Sequence, residues 1–164
     1  MSTYQDSPQQ LARPTAPAPV RNAATAMYVG LALTLVAVVA LIVDQAMGDS
    51  LTQQFKEAYP SYSAERIGTV KSSVLTYLFT LGVAGLILWP WMAAANKKGK
   101  GWSRIAATVV FLLSTFIALY DFTQNFPLFV TLTGLLPCVA GLVAVGLLWM
   151  KDSSAFYAGS RRAA

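Results

Sequence analysis

The chain contains no histidine at all, so the commonest general base and the commonest metal ligand are both missing. It has a single cysteine, Cys138, which leaves no internal disulfide and no paired-cysteine metal spacing. Charged residues make up only 12% of its 164 residues, about half the share of an ordinary soluble domain. None of the charges falls inside the four long apolar runs. Ion-coupled transporters and proton pumps must hold charge at membrane depth, so that absence counts against them. A glycine-rich phosphate loop and a strained nucleophile elbow are also missing. The chain is therefore expected to be no enzyme, with no catalytic residue, no cofactor and no bound metal.

Apolar sequence is abundant: 55% of the residues are hydrophobic. It is gathered into runs at about 24–43, 74–95, 105–120 and 126–150, each near the length a helix needs to cross the hydrocarbon of a bilayer. The expected fold is all-α, a four-helix transmembrane bundle occupying residues 24–150. Residues 1–23, with Pro14, Pro17 and Pro19, read as a disordered polar tail. Residues 151–164 read as a second short tail.

Basic residues set the threading. Arg13 and Arg21 precede the first run, Lys97, Lys98, Lys100 and Arg104 fill the turn between the second and third, and Lys151, Arg161 and Arg162 follow the fourth. Only Lys56, Arg66 and Lys71 fall on the other side. Lys and Arg beside spans stay in the cytoplasm, so both termini are expected inside a plasma membrane. Trp89, Trp91, Trp102 and Trp149 then fall near the inner interface and fit an aromatic belt. The net charge of +5 belongs to these span ends, which gives no reason to expect nucleic acid as a partner. The bilayer is the expected partner. The 97–104 turn signals topology and offers cations to anionic lipid headgroups. Gly99 or Gly101 can end the second span in the left-handed conformation, and Ser103 can cap the third.

Residues 44–73 form the longest outer loop. Leu51, Phe55, Ala58 and Tyr59 recur near helical spacing, which predicts a short amphipathic helix there. Pro60 ends it, and Ser61 or Ser63 caps a helix that continues into the second span. Asn125 is the expected cap of the fourth.

Small residues mark the faces along which the helices pack: Gly30, Thr34 and Ala37 on the first span, Gly82 and Gly85 on the second, and Gly134, Cys138 and Gly141 on the fourth. Pro137 removes a backbone donor from the fourth span and predicts a kink. These faces, without ionisable groups at depth, point to a structural or accessory subunit with a membrane-protein partner or a second copy beside it. The alternative is an oligomeric pore, holin-like channel or passive small-solute transporter, its candidate lining Thr76, Thr80, Thr131 and Thr133.

Ala26 to Gly30, the Tyr59-Pro60 loop and the run from Trp91 through Asn96, Gly99 and Trp102 to Ile105 resemble small four-span membrane proteins of actinobacteria. Those carry a Pro-rich cytoplasmic tail and a WMAxAN-x-x-G-x-x-W-x-R turn. The family has no assigned activity. The resemblance therefore implies the architecture and adds no catalytic residue.

Overall fold

The computed structural model describes residues 15–162, and within them every regular element is helical. The helices are α1 (Ala18–Met47), α2 (Ser50–Ala58), α3 (Ala64–Lys97), α4 (Gly101–Asp121), α5 (Leu128–Leu148) and α6 (Lys151–Arg162). Four of them, α1, α3, α4 and α5, are long and apolar enough to cross a membrane. This is the make-up of a multi-pass membrane protein.

Each boundary has a local cause. Pro17 stands at the N-cap of α1 and Pro19 in its first turn, where a missing amide hydrogen costs nothing. The helix thus starts six residues before the expected span, and residues 18–23 are not tail. Val20, Ala23, Ala24 and Met27 recur at helical spacing and are fully or almost fully buried. The part of the expected tail at 1–14 lies outside the described residues. In α3, the Ser63 side chain accepts from the Arg66 amide at 3.3 Å, so Ser63 is the capping serine. Gly99 closes the α3 to α4 turn with φ +68°, a conformation open to glycine at no steric cost.

Two of the expected caps are not made. Ser103 lies inside α4, whose N-cap is Lys100, and Gly101 is the first residue of that helix. Pro127 stands at the N-cap of α5, while Asn125 donates instead to the Tyr59 hydroxyl at 3.2 Å. Both α3 and α5 continue as helix through their internal prolines, Pro90 and Pro137.

The helices pack in the order α3, α1, α5, α4, with α3 and α4 touching sparingly. Apolar burial is concentrated at the two ends. At one end Val20, Ala23, Ala24, Met27, Met92, Ala93, Ala107, Ala144, Leu148 and Tyr157 form a cluster. At the other, Leu51 and Phe55 of α2 close over Leu41 and Ile67. Tyr59 stacks on Tyr62 at 4.9 Å, and the Arg66 guanidinium lies 4.4 Å from the Tyr62 ring, which stiffens the link from α2 to α3. The bundle therefore has a small helix over each end, α2 on one and α6 on the other.

Helix α6 replaces the expected tail at 151–162. Ser153 and Tyr157 are buried in it, and Phe156 packs against the end cluster. Residues 153, 156, 157 and 160 share a face because they are three or four apart.

Candidate functional site

Two places gather the residues singled out above: the α6 end and the interior of the bundle. At the α6 end, Asn96 is completely buried. Its amide nitrogen donates to the Met92 carbonyl at 2.8 Å, one turn back. Its carbonyl oxygen accepts from the Tyr157 hydroxyl at 2.7 Å. Ser103 Oγ lies 2.9 Å from that same oxygen and 2.6 Å from the Lys100 carbonyl, and its one proton serves either. Burial pushes the Tyr157 phenol up to about 12, with the nearby Arg104 charge and Ser103 opposing that rise. A neutral phenol that donates is what Asn96 requires. The side chain of Asn96 thus ties together α3, α4 and α6.

The cations of the turn divide into two groups. Lys97, Lys98 and Lys100 are exposed, with Lys97 Nζ 4.9 Å from the Tyr28 ring. Arg104, expected at the lipid surface, is drawn in instead. Its guanidinium lies 4.2 Å from the Trp149 ring and 5.6 Å from that of Tyr157, and Nη1 donates to Ser154 Oγ at 2.9 Å. Planar guanidinium groups favour such stacking over free hydration. Trp91 and Trp102 pair across the turn at 5.4 Å.

Trp89 turns toward α1. Its indole nitrogen donates to Thr34 Oγ1 at 3.1 Å, and Thr34 donates in turn to the Gly30 carbonyl at 2.8 Å. A methyl group on Gly30 would meet three atoms of the Trp89 ring at 2.5–2.7 Å. A methyl on Gly82 would meet Val38 at 2.5 Å, and one on Gly85 would meet Thr34 at 3.0 Å. Gly30, Thr34, Gly82 and Gly85 thereby form one α1–α3 seam. On the far side, a methyl on Gly141 would meet Phe111 at 2.9 Å and Trp89 at 3.6 Å. One indole therefore touches α1 and α5 from its seat on α3.

Gly134 belongs to no seam, because a methyl there would have nothing within 4 Å. Gly134, Ala37 and Cys138 border a cavity instead, with Pro137 beside them. The Cys138 thiol is half-buried and lies 3.9 Å from the carbonyls of Ser114 and Gly134. Thr131 and Thr133 also border this space, but Thr76 and Thr80 do not. Both of the latter point outward and bond back to carbonyls one turn earlier.

The cavity measures about 360 Å³ and is walled by all four long helices. Its lining is overwhelmingly apolar; Thr34 and Thr133, among its hydroxyls, spend their protons on backbone carbonyls. Water finds few partners there, since a buried water needs two to four.

The two ends of the cavity differ in chemistry. Trp89, Phe111, Met27 and Met92 lie toward α6. At the α2 end stands Asp121, whose Oδ1 accepts from the Tyr77 hydroxyl at 2.8 Å. That bond ties α3 to α4. Among the described residues no group of three or more His, Cys, Asp or Glu side chains is placed to hold a metal ion. Compared with known proteins, the chain matches no family model, no curated protein and no solved structure.

Proposed function

We propose that this chain is a non-enzymatic integral membrane protein of the plasma membrane, a structural or accessory subunit that packs beside another membrane helix. The observation that supports this reading most is a stripe on the outer face of α3. Thr69, Ser73, Thr76 and Thr80 stand at spacings of three and four, are exposed, and each donates its hydroxyl proton to a carbonyl of the preceding turn. Hydroxyls satisfied in this way present a narrow, small-residue surface, the kind at which membrane helices approach one another. Val83, Ile87 and Trp91 continue the same face and are exposed too.

The charge distribution supports an orientation with both termini inside. In that orientation α2 lies over the outer ends of α1 and α3, its buried Leu51 and Phe55 inward and Lys56 and Glu57 in water. The exposed Lys97, Lys98 and Lys100 then face the anionic headgroups of the inner leaflet. The pore reading has less support: two of its four candidate hydroxyls point away from the interior, and apolar clusters occupy both ends of the bundle.

The test is co-purification in mild detergent with in-membrane crosslinking, comparing the native chain with Thr76→Phe. The partner, or the second copy, should be lost in Thr76→Phe and kept in Leu112→Phe, which alters an exposed position on α4. A native chain that is strictly monomeric with no reproducible neighbour would sink the accessory reading. Rapid solute flux in liposomes would favour the pore.

A further inference from the structure

The cavity has a shape as well as a volume. Its walls run from Met27 to Leu41 on α1 and from Ala107 to Asp121 on α4, fourteen residues apart in each case. At 1.5 Å rise per residue that is a length of ~21 Å, most of the thickness of a hydrocarbon core. About 360 Å³ drawn out over such a length makes a narrow slot parallel to the helices rather than a round chamber. It holds roughly a dozen methylene-sized groups if each takes about the 30 Å³ of a water molecule.

Access is from the side. Helices α3 and α4 are joined by their turn at one end and by the Tyr77–Asp121 bond at the other, and touch sparingly between. Leu113 and Ser114 of α4 border the slot and are exposed, so this wall opens toward the bilayer. Both ends are closed by apolar clusters, which leaves no continuous path for water or ions. The polar features are also ordered. The slot is apolar toward α6, and Asp121 stands at the α2 end with its second carboxylate oxygen uncommitted among the described residues.

We propose that the slot is a binding site for one acyl chain of a bilayer lipid, which enters between α3 and α4 and keeps its polar head beside Asp121 and Tyr77. The occupant is a chain because the space is long, narrow and apolar. It comes from the bilayer because the opening is lateral and both ends are shut. Gly134 and Ser114 keep the space open by not filling it.

The experiment uses the full chain in vesicles of phosphatidylcholine that carries a photoactivatable group in mid-chain. A parallel sample receives the corresponding free fatty acid. Crosslinks are mapped by mass spectrometry, and two filling variants, Gly134→Phe and Ser114→Leu, are run beside the native chain. Gly134→Phe adds its ring where a side chain meets no neighbour, and thermal unfolding confirms that each variant is folded. Labelling by the phospholipid is expected on the segments around Cys138 and Ser114, falling at least tenfold in a folded filling variant. Labelling unchanged in folded filling variants would overturn the proposal. So would labelling confined to outward positions such as Phe116 and Leu136, or no labelling of the slot. Slot labelling by the fatty acid alone would overturn the assignment to a bilayer lipid.

Discussion

Removing the Tyr157 side chain should release α6 from the bundle while leaving the four long helices in place. At twelve residues, α6 is at the length where an isolated helix is marginal in water. Its helicity thus depends on docking, and Tyr157 supplies the largest buried side chain of that contact, only 3% exposed. Tyr157→Phe keeps the ring and deletes the hydroxyl that donates to Asn96. Leaving a buried acceptor short of a donor costs about 1–3 kcal/mol, and Ser103 can cover part of that by turning its proton to Asn96. Tyr157→Ala also loses the packed ring, for a total of about 3–5 kcal/mol.

The readout is amide hydrogen exchange of Lys151–Arg162 in nanodiscs, where each 1.4 kcal/mol of lost docking speeds exchange about tenfold. Tyr157→Phe should therefore exchange roughly five- to a hundredfold faster over α6, and Tyr157→Ala should abolish protection there. Amides of α1 and α5 beyond the end cluster should be unaffected. Native-like protection of α6 in Tyr157→Ala would refute the account, because it would mean that the helix is held by something other than this contact.

The same phenol gives a pH test. Burial favours its neutral form, so its contribution is whole below pH 10 and fades as the pH climbs through the folded value of about 12, and Tyr157→Phe should lower the late ultraviolet titration by the amplitude of one tyrosine. At the α2 end the Lys71 ammonium, 2.6 Å from Asp49, holds that carboxyl below 3.8, so its contribution is present above pH 3.8 and is lost as the pH falls through the lowered value. Asp49→Asn keeps a residue that tolerates the left-handed backbone at φ 49° and should cost less than about 1 kcal/mol, vanishing at high salt, in a thermal melt. Gly30→Ala should lower stability by about 1–3 kcal/mol because its methyl meets the Trp89 ring, whereas Gly134→Ala should be neutral or stabilising by up to ~1 kcal/mol; equal effects at the two sites would contradict the seam. Cys138→Ala should scarcely move the melting curve, since the thiol's hydrogen bonds to the Ser114 and Gly134 carbonyls are long, at 3.9 Å.

The four long helices were legible because apolar length is a local property of sequence; capping chemistry is local as well, but it left Ser61 beside Ser63 and Gly101 beside Gly99, and it misplaced the caps at Ser103 and Asn125. What escaped was set by distant residues. Tryptophan type alone assigns Trp89 to an interface; it turns inward because Gly30 makes room and Thr34 offers an acceptor, fifty-five positions away. Arg104 looked like a free cation until α6 brought Ser154 beside it, fifty positions on. Helix α6 itself carries only two large apolar residues, Phe156 and Tyr157, adjacent in sequence, so its helical periodicity rests otherwise on serines and is faint against a polar background. Gly134 matched Gly141 in spacing along α5, yet one faces Phe111 and the other faces open space, a difference that depends on how α4 diverges.

The Asn96 network also has a temporal side. Asn96 sits at the end of α3, but the hydroxyl of Tyr157 is synthesised sixty-one residues later. While the chain is emerging, the α3–α4 hairpin carries an amide that is only partly matched, in a place destined to exclude water. A chain that stops short of α6 keeps that fault permanently. Docking of α6 therefore mends a polar fault that the α3–α4 hairpin cannot close fully with its own groups.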